Sequence, residues 1–391
     1  MNQLENKEDS LKSPKDMFYT ADGELYVADT DNNRIIHFDK EMNVVKCIYR
    51  PEDSTVSQDL TFQPINLVVD QANRIFTNVK NVNSGFMEFD SEGSFIGYVG
   101  ASEVTVNPLQ YLWKMVASEA QISQMINFVP TEYSNISLDS EGFLYATINN
   151  FSESSVNSLK AVRRLNAKGA DILVRNGDHE PVGDIKYNTE GGQIKGASKF
   201  IDVVALENDT YITLDNTRGR LFAYDFQGNL LYAFGGRGYK QGFFMNAVSI
   251  EALDDSILVL DTQLGTITQF TLTEYGRYID KALSYYKIGD YDTSSDQWRE
   301  VLKLNGNYDL AYLGIGRALL RQKKYKEAMD YFETKSYRSY YSKAFKLYRK
   351  DCIEDNIIYV VIILGVLVVI GMSKGRIKKI REEVKENETN S

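Results

Sequence analysis

Oxygen donors gather at Asp29-Thr30-Asp31-Asn32-Asn33 in the manner of a calcium loop. A helix–loop–helix calcium loop requires glycine at its sixth position and a bidentate glutamate at its twelfth, and Arg34 and Lys40 stand at those places. The run therefore reads as a turn whose Asx side chains bond nearby amides and tolerate positive φ. Gly235-Gly236-Arg237-Gly238 with Gly242 has the glycine density of a phosphate cradle. Such a cradle opens a helix whose N-terminus faces the phosphate; strand-like residues follow here, so the segment reads as a link between strand units. His37 lies in an alternating strand and His179 beside Asp178 and Glu180. Either could serve as a general base, yet neither has a serine or cysteine motif to serve. They are the two histidines of the chain, and Cys47 and Cys352 the two cysteines, too few for a three-histidine zinc centre or a disulfide framework. No cofactor, metal or catalytic motif is expected.

The elements around these residues repeat. The first copy runs from Ser13-Pro14-Lys15-Asp16-Met17 through Asp22-Gly23-Glu24-Leu25-Tyr26-Val27-Ala28-Asp29 to Asn33-Arg34-Ile35-Ile36-His37-Phe38-Asp39. Related stretches begin at Gln63-Pro64-Ile65-Asn66, at Ile136-Ser137-Leu138-Asp139, at Phe200 and near Ile257-Leu258-Val259-Leu260-Asp261. Each copy alternates short apolar runs with Asp-x-x-Gly or Asn-containing turns, the mark of hairpin-linked strands. One such unit cannot cover both faces of its sheet, so the units must stack radially into a β-propeller. Between the second and third copies, proline-bounded helical spacing predicts a short helical insertion near 108–130.

Gly23-Glu24-Leu25-Tyr26-Val27-Ala28-Asp29-Thr30-Asp31-Asn32-Asn33-Arg34-Ile35 and the link Phe234-Gly235-Gly236-Arg237-Gly238 resemble the NHL family. The resemblance spans roughly residues 11–273 and implies six blades, the sixth formed within 175–199 or completed from the N-terminal side. Some six-bladed relatives are lactonases of the gluconolactonase and senescence-marker type, with calcium held at the channel mouth. Asn66, Asn135, Asp202 and Asn246 stand early in successive copies, so the resemblance makes a polar ring around the axis, and lactone hydrolysis, the alternative to a binding role.

A second period of 34 residues follows: Tyr278, Ala282, Tyr285, Ser294 and Trp298 recur as Tyr312, Gly316, Leu319, Ala328 and Phe332. This resembles the tetratricopeptide repeat, in which small residues let helices approach and aromatics fill the space between them. Ser294 stands where alanine is usual and Gly306 where proline is usual. The repeats and a capping helix over Tyr337–Tyr348, with the aromatics Tyr340, Tyr341 and Phe345, should occupy 274–350.

Residues 357–372, IIYVVIILGVLVVIGM, carry no charge, and Asn356 and Ser373 extend the uncharged stretch to 18 residues, close to what ~30 Å of hydrocarbon requires. The stretch centres on Gly365 and ends at Met372, and Lys374, Arg376, Lys378, Lys379 and Arg381 follow at once. We read 354–373 as a transmembrane helix and 374–391 as a charged cytoplasmic tail. Residues 1–274 carry 38 acidic and 22 basic side chains, net −16, against 16 and 22 in 275–391, net +6. The acidic part offers no basic track for a nucleic acid.

Propeller, repeat pair and single span together, with Asp296-Gln297-Trp298-Arg299-Glu300-Val301-Leu302 and Tyr312-Leu313-Gly314-Ile315-Gly316-Arg317-Ala318-Leu319-Leu320-Arg321, resemble bacterial NHL-repeat membrane proteins associated with carbohydrate ABC transporter components. The resemblance implies a non-enzymatic scaffold for protein or glycan, with the propeller outside the cytoplasm. Members begin with a secretory signal; residues 1–10, part of a polar and disordered N-terminus, contain none. Either the start lies upstream, the reading preferred here, or the protein is a tail-anchored adaptor facing the cytoplasm.

Overall fold

The computed structural model describes residues 10–101, 132–149, 160–177, 180–184 and 196–389. They divide into two compact units, residues 1–272 and 273–391.

Among the described residues of the first unit eighteen strands form five antiparallel sheets in chain order. Sheet 1 holds β1 (Asp16–Tyr19), β2 (Leu25–Asp29), β3 (Arg34–Phe38) and β4 (Val44–Ile48); sheet 2 holds β5 (Pro64–Val69), β6 (Ile75–Val79), β7 (Phe86–Phe89) and β8 (Phe95–Val99). Sheet 3 has β9 (Asn135–Leu138), β10 (Leu144–Thr147) and β11 (Val162–Leu165). Sheet 4 has β12 (Phe200–Ala205), β13 (Tyr211–Asp215), β14 (Arg220–Tyr224) and β15 (Leu230–Gly235). Sheet 5 has β16 (Ala247–Leu253), β17 (Ser256–Asp261) and β18 (Thr266–Thr271). The first strands of neighbouring sheets pack on one another from sheet 1 to sheet 5. This is a β-propeller, and among the described residues it has five sheets rather than the six expected. The predicted insertion at 108–130, His179 and most of the stretch proposed for a sixth blade lie outside the described residues.

The hairpins are set by one recurring device. Asp70, Asp90, Asp139 and Asp225 each accept, through one carboxylate oxygen, the amides two and four residues later: Ala72 and Arg74, Glu92 and Ser94, Glu141 and Phe143, Gln227 and Asn229. Asn166 does the same for Lys168 and Ala170. The side chain stands in for the backbone and closes the turn. The left-handed position in these turns falls to Asn73, Gly93, Gly142, Gly169 and Gly228, residues that take positive φ at low cost.

Apolar clusters sit between sheets. Tyr26, Ala28, Ile35 and Ile48 of sheet 1 pack with Leu67, Val69, Ile75 and Met87 of sheet 2. Val68, Phe76 and Phe86 of sheet 2 pack with Ile136, Leu144 and Ala146 of sheet 3, and Tyr145 and Val162 of sheet 3 with Phe200, Tyr211 and Phe222 of sheet 4. Sheets 1, 2 and 3 thus each bury one face on the next sheet, as binary patterning at period two requires.

The second unit has α1 (Glu274–Ile288), α2 (Tyr291–Leu304), α3 (Asp309–Arg321), α4 (Tyr325–Thr334) and α5 (Arg338–Thr389), each packed on the next. Thr273 caps α1 by accepting the Gly276 amide at 3.2 Å, and Asp290 caps α2 by accepting the Thr293 amide at 3.1 Å. Ser294, unusual at an alanine position, is fully buried and donates to the Ala282 carbonyl at 2.7 Å. The hydroxyl is satisfied across the helix pair, so its burial is tolerated. Ser294→Ala is expected to cost about 1 kcal/mol or less, because an alanine leaves only one lone pair unfilled; urea unfolding of the full chain in detergent micelles measures it, and a loss above that range would mean the hydroxyl carries more than this bond.

The capping helix and the apolar segment, expected as separate elements, are one helix of 52 residues. No proline occurs beyond Pro181, so nothing in the chain chemistry interrupts it. Its part from Arg338 to Arg381 is long and apolar enough to cross a membrane, and the apolar window is not buried by any protein group.

Candidate functional site

The innermost strands place one polar residue each at the same ladder position: Asp16 opposite Ala28, Asn66 opposite Asn78, Asn135 opposite Thr147, Asp202 opposite Leu214 and Ser249 opposite Leu260. In sheets 2, 4 and 5 a register shift at Ile65, Ile201 and Val248 precedes this position, a bulge that turns the next side chain inward. The five line the propeller axis.

Their bonds run from sheet to sheet. Asp202 Oδ1 accepts from the Val203 amide at 2.8 Å and from Asn135 Nδ2, and Oδ2 accepts from Ser249 Oγ at 2.9 Å and from the Ile250 amide at 2.7 Å. Asp16 repeats the pattern: Oδ1 accepts its own following amide, Met17, at 2.8 Å, and Oδ2 the Leu67 amide of the next sheet at 2.9 Å. Among the described residues the buried Oδ1 of Asn66 has no hydrogen-bond partner. Burial pushes the Asp202 carboxyl up to about 7 and that of Asp16 to about 6, against the opposing pull of their amide donors. Asp16 adds to the rise at Asp202, and Glu251 to that at Asp16. Burial also raises Glu251 itself.

Of the four residues singled out for a lactonase-type ring, the structure brings together Asn66, Asn135 and Asp202. Asn246 lies outside it, exposed and bonded through Nδ2 to Thr262 Oγ1 at 2.8 Å; Ser249, three residues on, holds its place. Asp16, Ser249 and Glu251 were not anticipated. The set does not fit a calcium centre: both oxygens of Asp202 and both of Asp16 are engaged by N–H or O–H donors, and calcium needs six or more free oxygens. Among the described residues no three His, Cys, Asp or Glu side chains are arranged to hold a metal.

His37 stacks on Tyr26 with centroids 4.1 Å apart, and its Nε2 lies 2.9 Å from Glu24 Oε2. Asp29, fully buried, accepts from the Lys12 amide at 2.7 Å, Asn32 Nδ2 at 2.8 Å and Arg34 Nε at 2.8 Å, and Asn33 takes φ 55°. The acidic run is thus a locked turn. Gly235–Gly238 forms the link from sheet 4 to sheet 5, with the Phe244 amide donating to Gly236 O at 2.8 Å and the Gly238 amide to Phe244 O at 3.0 Å.

Among the helices, Ala282, Trp298, Gly316, Ala328 and Phe332 are buried. Tyr278, Tyr285 and Tyr312 are half-buried or nearly so at the edges of the pairs; the Tyr278 hydroxyl donates to Glu274 Oε1 at 3.2 Å and that of Tyr312 to Gly306 O at 3.0 Å. A polar stitch that sequence reading missed joins α1 to α3. The Arg317 guanidinium lies 4.7 Å over the Tyr286 ring and Arg321 Nε donates to the Tyr286 hydroxyl at 3.4 Å. Burial raises the Tyr286 phenol, but the two guanidinium groups outweigh it and hold the phenol below its ordinary value. In α5, Ile357, Gly365 and Met372 are exposed, as are Lys374, Arg376, Lys378, Lys379 and Arg381.

Residues 279–339 match the tetratricopeptide repeat family. No curated protein is significantly similar to the chain. Similar solved structures include selenomethionine-substituted virginiamycin B lyase from Staphylococcus aureus, at 14% identity over 66% of this chain and 69% of that one with a TM-score of 0.37. A streptogramin B lyase structure follows at 13% identity over 66% and 68% with TM-score 0.37, and a Bacteroides caccae protein of unknown function at 10% over 63% and 72% with TM-score 0.34. At such identities and scores they carry no inference about chemistry here. The chain joins a five-sheet β-propeller to a tetratricopeptide repeat region.

Proposed function

We propose that the protein is a non-enzymatic, membrane-anchored scaffold that presents its propeller and repeat surfaces to a protein or glycan partner, as an accessory to ABC transporter components. The observation that carries this reading is the exposed apolar run of α5. Among the described side chains of 357–372 none finds a protein surface to cover it, and a helix apolar on every side is at rest only in lipid. Lys374 to Arg381 then meet the headgroups of the cytoplasmic leaflet, with the propeller on the other side. Tetratricopeptide and propeller units supply broad rigid surfaces for binding. Asp16 and Asp202 support this over lactone hydrolysis, since each of their carboxylate oxygens already accepts an N–H or O–H donor of the protein.

Protease added to intact spheroplasts expressing the chain, alone or extended to the next upstream start codon, tests the placement. Digestion of the propeller with survival of a tail-proximal fragment is the expected result. Full protection of both forms would instead make the protein a tail-anchored adaptor facing the cytoplasm, and release by alkaline carbonate would remove the anchor altogether.

A further inference from the structure

The junction between sheet 5 and sheet 1 differs from every other. The ladder position that carries the axial residue continues outward through the sheets as a rung: Asp16–Ala28–Ile35–Ile48 in sheet 1, Asn135–Thr147–Val162 in sheet 3, Asp202–Leu214–Leu221–Phe234 in sheet 4 and Ser249–Leu260–Ile267 in sheet 5. Rung side chains share one face, and the bonds from Asp16 and Asp202 show that this face turns to the next sheet. In sheets 1, 3 and 4 the second and third members are fully buried; in sheet 5 Leu260 is 40% and Ile267 68% exposed. The opposite lip is open only at its innermost strand, since Val27 and Ile36, the second and third members of the Met17 rung, are buried. Met17, on the face of sheet 1 that turns back toward sheet 5, is 71% exposed, whereas its counterparts Leu67, Ile136, Val203 and Ile250 are buried.

Sheet 5 also ends one strand early. Sheets 1, 2 and 4 carry a fourth strand; sheets 3 and 5 have three among the described residues, and β18 closes sheet 5 with its outer edge open among them. Natural edges are blunted by charge, proline or a bulge. The fourth strands β4, β8 and β15 each pair through a register shift, while β18 pairs with β17 over six residues without one. From Thr262 to Thr273 the chain has no charged residue and no proline.

We propose that this seam is a docking site for an extended, uncharged β-strand of a partner polypeptide, which pairs with the outer edge of β18 and sets a large apolar side chain opposite Ile267. The other sheets define the occupant. Where a fourth strand is present, the residue facing the third-strand rung member is Ile48 opposite Ile35, Val99 opposite Phe86 and Phe234 opposite Leu221. A segment of that chemistry would satisfy the unpaired backbone groups of β18 by strand addition and cover Ile267 and, at the seam, Leu260. Phe270, on the other face, already meets Phe234 with centroids 5.0 Å apart, so the incoming strand would find an aromatic ledge there. The uncharged run from Thr262 to Thr273 offers an acidic or basic peptide no partner along this edge.

The proposal deepens the scaffold reading and rests on it only in taking a polypeptide as the ligand. Membrane attachment through α5 plays no part, so failure at the seam and failure of the anchor are separate results. The test uses the full chain in detergent micelles and, as probe, a fluorescent peptide copying the protein's own fourth strand from Ser94 to Gly100, with a second peptide in which the residue copied from Val99 is aspartate. Saturable binding of the first, new hydrogen-exchange protection across Thr266–Thr271, and a loss of about tenfold or more with Ile267→Asp or with the aspartate peptide are expected for strand addition anchored by one apolar contact. Ile267 is exposed, so that substitution leaves the fold intact. The proposal is overturned by no saturable binding, by binding that Ile267→Asp leaves unchanged, or by protection of β18 that grows with protein concentration alone, which would make a second copy the occupant.

Discussion

Gly316→Ala is expected to lower the stability of the helical unit by about 1–2 kcal/mol, although alanine is the better helix former by about 1 kcal/mol. An added Cβ would stand 2.5 Å from Phe332 Cε1 and 2.9 Å from two further ring atoms. Phe332 cannot retreat, being fully buried and backed by Tyr340 at 5.4 Å between centroids. Overpacking of this kind costs roughly 1–3 kcal/mol beyond any propensity gain. Phe332→Ala, which empties the same contact, should cost more, about 3–5 kcal/mol. Urea denaturation of the full chain in micelles, followed at 222 nm, measures both. Combining Gly316→Ala with Phe332→Leu should recover part of the loss, since the two compete for one volume. An unchanged midpoint for Gly316→Ala alone would show that α3 and α4 sit further apart than described.

The second large effect is on the propeller and depends on pH. The Asp202 carboxyl keeps its proton to about pH 7 in the fold, against 3.8 ordinarily, chiefly because burial disfavours its charge. Its contribution to stability is therefore complete below pH 3.8 and is lost as pH rises through about 7. Across that window one such group changes stability by at most about 1.4 kcal/mol per pH unit. Asp16, raised to about 6, acts in the same direction over a narrower range. Thermal unfolding recorded between pH 4.5 and 8 should show wild type losing stability relative to Asp202→Asn as pH increases. The offset between the two reflects the altered hydrogen bonds and is not diagnostic; parallel curves would mean that Asp202 is ionised throughout and that its four donors outweigh its burial.

Much of this was readable in the sequence because it rests on local chemistry. The Asp-x-x-Gly turns could be read because a carboxylate two and four residues from the amides it accepts is a short-range device. The period from Tyr278 to Tyr312 was visible because helix pairs need a small residue under each aromatic, and even Ser294 departs from it only by adding a bond to Ala282. The axial ring was half visible. Asn66, Asn135 and Asp202 drew notice by their place in each copy, but the bulges at Ile65, Ile201 and Val248 add a residue before the inward position. Ser249 stands two residues into β16, as Asn66 does in β5 and Asp202 in β12, whereas Asn246 lies before β16 begins; the miss came from placing the start of that strand too early. The division of α5 into cap and span followed changes in hydropathy, which alter what a helix touches but do not end it. The open seam is a property of sheets far apart in sequence, and no single strand announces it.

The unbroken course of α5 makes it a mast. Ala344, fully buried among the repeats, and Ile357, at the start of the apolar run, lie on one helix thirteen residues apart, about 20 Å at 1.5 Å per residue. Height and azimuth are coupled along such a rod: each residue inserted between them would lift the repeats by about 1.5 Å and swing them by about 100°. The sequence between Ala344 and Ile357 therefore sets the compass bearing of the tetratricopeptide face as seen from the apolar band, and only insertions close to whole turns would preserve it.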